Sequence, residues 1–254
     1  LPDLEMGWSK QWHKLYSRMT ESQQEKWNNY YKDLNREYQR VKHDQKQLSE
    51  WKYRRYLHDY LTSIYAMDKD IGRILDYLDE HNLAHNTLVV YTSDQGFFIG
   101  EHGWFDKRFM YEEAMRTPLL MRYPEKINGN QQVTTMVQNI DYAPTFLDFA
   151  GIEIPEDIQG LSLKDLLTKQ QPLERDALYY RYYEGIEREH TVPKHEGVRT
   201  ATHKLIHFKD IGIDHFEMFD LTNDPHEMIN IYDQPEHAKI QNYLLKKLEQ
   251  LKQH

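Results

Sequence analysis

Between Gly7 and Gly72 the chain contains neither glycine nor proline. A stretch of that length, free of the two residues that punctuate backbone structure, has helix as its natural reading. Thr20, followed three residues later by Gln23, fits a capping box, in which each side chain satisfies the other residue's backbone N–H. Residues 20–56 are strongly charged, with Trp27, Tyr30, Tyr31, Tyr38, Trp51, Tyr53 and Tyr56 spread through them, and read as a solvated helical insert. Further on, Leu57, Tyr60, Leu61, Ile64, Met67, Ile71, Ile74, Leu75 and Leu78 keep to one stripe at helical spacing.

After a polar break at His81–Asn86, Thr87–Thr92 is a short β-rich run, apolar on both faces. That pattern predicts a strand in the parallel part of an α/β sheet. The run ends at Ser93-Asp94-Gln95-Gly96, and ligand sites in such sheets lie beyond the carboxyl ends of strands. Pro118–Tyr123 predicts a second strand, Val133–Val137 a brief one, Ile140–Ala150 a helix stopped by Gly151, and Leu161–Leu167 a short helix. The character changes near Gln170-Gln171-Pro172, which sets a boundary at about 172. Beyond it, Ala177–Tyr183, Gly197–Phe208 and Phe216–Leu221 are strand-like runs separated by Gly, Pro and Asn-Asp-Pro turn chemistry, which predicts an antiparallel sheet. Ile240, Tyr243, Leu244, Leu248 and Leu251 then mark a final amphipathic helix.

Composition narrows the function. With 41 acidic against 32 basic residues the net charge is -9, so no global basic field exists to bind nucleic acid by counterion release. There is room only for a local basic pocket around a small anion. The absence of cysteine excludes disulfides, thiolate zinc sites and cysteine nucleophiles within these 254 residues. No run approaches the roughly 18 apolar residues of a membrane span, and Leu1–Glu5 has neither the basic start nor the apolar run of a signal peptide. Because Leu1 is not methionine, the numbered chain is expected to begin inside a longer product.

The densest polar constellation runs from Ser93 to Lys107. Gly96, Gly100 and Gly103 permit close approach of backbone to a ligand. Asp94 and Gln95 offer a carboxylate and an amide carbonyl, hard oxygen donors of the kind that Ca²⁺ or Mg²⁺ takes. Lys107 supplies a compact cation for an oxyanion, with Asp106 beside it to orient it. On the residues alone, an Asp-Gln-Gly turn is equally read as an ordinary loop.

The run resembles the second metal-binding segment of the type I sulfatases, members of the alkaline-phosphatase-like superfamily: a strand, Ser-Asp-(His/Asn/Gln)-Gly, Gly-Glu-His-Gly, then a lysine. The flanks agree. Tyr65–Gly72, Met115-Arg116-Thr117-Pro118-Leu119, Asp141-Tyr142-Ala143-Pro144-Thr145, Gln159-Gly160-Leu161-Ser162-Leu163, Val198-Arg199-Thr200 and Lys204-Leu205-Ile206 are each similar to family segments, in the family's order. The resemblance implies an α/β fold: residues 1–172 as the C-terminal part of an alkaline-phosphatase-like mixed sheet flanked by helices, and 173–254 as a small antiparallel α+β subdomain. It implies that Asp94 and Gln95 bind Ca²⁺ (or Mg²⁺) and that Lys107, thirteen residues after Asp94, contacts the sulfate. Gln95 is one methylene longer than the asparagine that also occurs there, which alters geometry rather than ligation.

Family members use a formylglycine made from Cys or Ser in Cys/Ser-x-Pro-x-Arg, and this chain contains no such motif. The resemblance therefore places the nucleophile and the first Asp-Asp metal pair in an N-terminal half, expected as a partner, and implies a sulfated carbohydrate substrate and a periplasmic or secreted location. His102 is open to two readings, contact with substrate or leaving group and a structural histidine in a tight loop. Glu189–Arg199 is similar to a run in bacterial sulfatases of glycosaminoglycan sugars, including 6-O-sulfated N-acetylglucosamine, which points to His190, His195 and Arg199 as substrate contacts; a surface loop without a role is the competing reading. His203, His207 and His215 have no zinc spacing. Two rivals to sulfate-ester hydrolysis stand: a phosphodiesterase or phosphonate hydrolase of the same superfamily, and a non-catalytic binding or interaction module.

Overall fold

In the computed structural model, residues 14–186 and 192–252 are described. They fall into two compact units, Leu1–Tyr77 with His102–Phe105, and Leu78–Glu101 with Asp106–His254.

The first unit is built on a helical hairpin. Helix α1 (Glu21–Val41) starts at the expected capping box: Thr20 Oγ1 accepts the Gln23 N–H, and the Gln23 side chain accepts the Thr20 N–H at 2.9 Å. Helix α2 (Gln45–Glu80) is capped by Asp44, whose Oδ1 accepts the N–H groups of Lys46 and Gln47. Between the helices, the Trp51 indole N–H donates to Glu37, the Tyr38 and Trp51 rings sit 5.8 Å apart, and Arg55 reaches the Tyr30 hydroxyl at 2.9 Å. No residue of α1 is buried, as expected of a solvated helical face. The stripe on α2 forms at the expected spacing but stays open: Leu61, Ile64, Met67 and Ile74 are all exposed.

In the second unit, β1 (Val89–Thr92) pairs with β2 (Leu119–Arg122). The pairing is antiparallel, with Thr92 opposite Leu119 and Val89 opposite Arg122, which corrects the parallel expectation for this strand. Apolar residues on both faces report burial, not direction. Here the chain leaves β1 at Thr92 and returns beside that same end, the arrangement of a hairpin with a long loop. No strand forms at Val133–Val137, because that segment finds no ladder partner.

A 3-10 turn at Asn139–Asp141 leads into α4 (Tyr142–Ala150), which ends at Gly151 with a left-handed φ of 71°. Buried Asp141 anchors the region: it accepts the N–H groups of Gln138 and Leu161 and a bidentate pair from Arg175 at 2.6 and 2.7 Å. The next helix, α5 (Lys164–Lys169), begins three residues later than expected, and the N–H groups of Leu161 and Leu163 ahead of it are taken by the Asp141 and Thr145 side chains.

The carboxyl-terminal strands β3 (Ala177–Tyr182), β4 (His195–Thr200), β5 (His203–Asp210) and β6 (Ile213–Asp220) form one antiparallel meander in that order. The run Gly197–Phe208 is thus two strands, turned at Ala201-Thr202, where Thr200 Oγ1 accepts the His203 N–H. On one face, helix α6 (Ala238–Leu251) seals Val198, Leu205 and Met218 under Leu244 and Leu248. On the other, Met110 packs among Ile206, Phe208 and Phe219. A Cβ on Gly197 would lie 2.5 Å from the Leu205 carbonyl oxygen and 2.4 Å from the Met110 sulfur, so glycine is required where Met110 packs on the sheet.

Candidate functional site

The turn after β1 presents Asp94 to solvent. Its Oδ1 accepts the Gln95 N–H at 3.1 Å, while the Ser93 hydroxyl is directed at the Gln95 carbonyl at 2.8 Å. The Gln95 amide and the exposed Lys107 ammonium make no hydrogen bond or ion pair with the described residues. Two backbone bonds hold the turn and the lysine in the same neighbourhood of the second unit. Gly96 N–H donates to the Ala114 carbonyl at 2.7 Å, and Phe98 N–H donates to the Asp106 carbonyl at 2.8 Å. The second bond closes the intervening loop one residue before Lys107. Gly96 must be glycine, as a Cβ there would lie 2.0 Å from the Glu113 carbonyl oxygen.

Asp106 acts on its neighbours differently from the expectation that it orients the lysine's charge. Its carboxylate accepts the Lys107 backbone N–H at 2.6 Å and pairs with Arg108. His102 lies in the segment grouped with the first unit and takes a left-handed φ of 53°, followed by Gly103 at 76°. In the same unit, Phe105 meets Tyr56 edge-on at 4.9 Å.

His190 lies outside the described residues. His195 is only 2% exposed, enclosed by the Phe109, Tyr180, Tyr182 and Phe208 rings at 5.1–6.0 Å. Its Nδ1 donates to the Pro193 carbonyl at 2.8 Å, and burial pushes its pKa down to about 4, so the ring is neutral at pH 7. Arg199 is half-buried against Glu112 at 3.2 Å.

Glu112 belongs to a charge cluster that sequence reasoning missed. At the start of the short helix α3 (Glu112–Met115), its carboxylate meets the Lys204 ammonium at 2.8 Å, and Lys204 meets Glu227 at 2.7 Å. Lys204 and Glu227 side chains have no solvent exposure at all. The ammonium and the Glu227 oxygen meet as an ion pair without hydrogen-bond alignment. Glu227 also accepts the Glu112 N–H at 2.6 Å. Burial works to raise the Glu112 carboxyl, but Lys204 and Arg199 outweigh it and hold the group below its usual range. Burial wins at Glu227, whose carboxyl is raised despite Lys204. The available signals were a lysine among apolar strand residues and a glutamate just past the Asn223-Asp224-Pro225 turn.

As a metal centre the pair is partial. Ca²⁺ takes six to eight oxygens, and Asp94 and Gln95 offer two side chains. Among the described residues no group of three or more acidic or histidine side chains converges on one point. The donors present are of the right chemical kind and supply part of a shell.

The mixed α/β arrangement, with its helices and antiparallel sheets, matches solved sulfatase structures and so has the fold of the C-terminal region of alkaline-phosphatase-like proteins. Residues 12–152 match the family described as Sulfatase, and residues 100–254 match the one described as N-sulphoglucosamine sulphohydrolase, C-terminal. The chain belongs to the sulfatase family. It is 48% identical over 241 residues to an N-acetylglucosamine-6-O-sulfatase of Bacteroides thetaiotaomicron, covering 94% of this chain and 43% of the relative. An arylsulfatase of Clostridium perfringens is 32% identical, over 74% of this chain and 38% of the relative. A solved structure of a protein in complex with its substrate D-glucosamine-2-N,6-O-disulfate superposes with a TM-score of 0.88 at 48% identity, covering 95% of this chain and 49% of that one. The chain therefore spans less than half the length of these relatives.

Proposed function

We propose that this chain is the C-terminal portion of a sulfuric ester hydrolase that desulfates a sulfated glucosamine, completed by an N-terminal portion that carries a formylglycine nucleophile. The supporting observation is the Asp94-Gln95-Gly96 turn at the end of β1. There Asp94 is exposed, with one carboxylate oxygen on the adjoining Gln95 N–H, and the Gln95 amide and the nearby Lys107 ammonium make no hydrogen bond or ion pair with the described residues, in a chain 48% identical to an N-acetylglucosamine-6-O-sulfatase.

In this reading Asp94 and Gln95 hold one side of a divalent cation, Ca²⁺ or Mg²⁺, which when bound polarises the sulfate oxygens. Lys107 places its positive charge on the sulfate and neutralises the negative charge that grows as the S–O bond breaks. The Phe98–Asp106 bond and the grip of Asp106 on the Lys107 N–H fix where the lysine stem begins. Contact of His102 with substrate or leaving group is a reading of the sequence alone. The sugar contacts assigned to His190, His195 and Arg199 rest on resemblance.

The test is Asp94→Ala in the complete protein, assayed on glucosamine 6-sulfate. Turnover should fall about 100- to 1,000-fold, the scale of removing one preorganised charge-stabilising group. Unchanged turnover would overturn the metal-ligand role of Asp94.

A further inference from the structure

The short helix α3 has two ends with different partners. At its start, Glu112 is held by Lys204, Arg199 and Glu227. Near its finish, the Ala114 carbonyl takes the Gly96 N–H at 2.7 Å, next to Gln95. A helix of four residues has no stability of its own, so its position is set by what grips it. The grip on the first end is buried and over-determined: Lys204 bridges two carboxylates, and Glu227 adds a bond to the Glu112 backbone. Glu227 reaches inward from a left-handed φ of 53°, a backbone state uncommon for such a residue. Tyr111, just before α3, adds a tie to the meander through its hydroxyl on Glu217 at 2.7 Å.

We propose that Lys204 is a positioning residue for the Asp94–Gln95 turn. From the meander it fixes α3, and α3 fixes Gly96 and hence the two oxygen donors beside it. The inference rests on the sulfatase reading and deepens it by naming what presets the metal-facing turn. Without the ammonium, the partly exposed Glu112 carboxylate and the buried Glu227 carboxylate become neighbours with no shared cation, and their separation pulls the start of α3 away from the meander. The strand-end turn moves with it, since only one backbone bond and the tight Gly96–Glu113 contact separate them.

The experiment uses the complete enzyme with three variants: Lys204→Met, which keeps the length and removes the charge; Glu227→Gln, which keeps the shape and weakens the pair; and Lys204→Arg, which restores a cation. Calorimetric titration with Ca²⁺ should show affinity weakened about tenfold in Lys204→Met, the lower end of what supporting partners of metal ligands cost. Glu227→Gln should show a smaller loss, and Lys204→Arg a partial recovery. The Ca²⁺ concentration for half-maximal desulfation should shift in the same order. A lower melting temperature with unchanged Ca²⁺ affinity and unchanged calcium dependence would overturn the proposal and leave Lys204 a purely structural charge. If Lys204→Met fails to fold, Glu227→Gln decides by the same criterion. Wild-type enzyme that neither binds Ca²⁺ nor desulfates would instead remove the sulfatase reading.

Discussion

The two sheets of the second unit bury very different things. In the four-stranded meander, Val198, Leu205, Ile206 and Met218 are fully buried, covered on one face by α6 and on the other by Met110 and its neighbours. In the two-stranded pair, β1 is nowhere fully buried and Leu120 of β2 is 64% exposed. Ile140, Phe146 and Ile152, which follow in the chain, are exposed as well. Two strands alone are marginal in water, whereas a covered sheet of four supplies its own core. The meander thus carries its stability within this chain, while the pair that presents Asp94 presents apolar surface too. The sheet that holds the candidate site is the one with least internal support.

The comparison breaks most directly at Leu205. Leu205→Ala should cost about 2–5 kcal/mol, the range for emptying a packed leucine site. Urea unfolding, together with faster amide exchange in β4 and β5, measures it. A loss below about 1 kcal/mol would mean that the meander does not anchor the unit.

His195 gives the next largest effect, and pH is the lever. Its pKa falls from 6.5 to about 4 on folding, so the folded state favours the neutral ring. Stability from this group is complete above pH 6.5 and is lost as pH falls toward 4, by about 3 kcal/mol in all. Acidic groups titrate in the same window, Glu112 losing and Glu227 gaining stability as pH falls. The clean measurement is therefore the difference from His195→Phe, whose stability should fall about 3 kcal/mol less between pH 7 and pH 4. Equal falls in both proteins would place the histidine in water.

What the sequence made legible was local. Thr20 and Gln23 are three residues apart, Gly151 follows its helix directly, and the turn from Asp94 to Gly96 sits at the end of its own strand. Choices made by distant residues were not legible. The direction of β1 depends on β2, which lies beyond a long loop, and apolar pattern carries no sign for direction. The sequence points to His195 as a substrate contact with His190 and Arg199, yet the structure places it among four aromatic rings drawn from Phe109 and two strands, β3 and β5. The burial of Lys204 was not legible because nothing adjacent to it in sequence reveals Glu112 or Glu227. Of the candidate site, the oxygen donors and the lysine could be read from spacing and resemblance; the α3 clamp that braces them could not, for its members meet only in the folded chain.

The smallest effect is the most discriminating for the two-stranded pair. In the present chain Leu120 faces solvent, so Leu120→Ala should change stability by less than about 0.5 kcal/mol, as for surface substitutions generally. The sulfatase reading adds an N-terminal portion, and a mixed sheet continued by that portion would take Leu120 out of water. The same substitution in the complete enzyme should then cost about 2 kcal/mol or more, the lower range for truncating a buried leucine. Measuring both proteins by urea denaturation separates two accounts of the exposed leucine. Equal and negligible costs would mean that β2 is a true sheet edge in the complete enzyme, and the apolar surface around it would need another explanation. A cost that appears only in the complete protein would make this pair the inner part of a larger sheet, whose support for Asp94 and Gln95 comes from both halves of the enzyme.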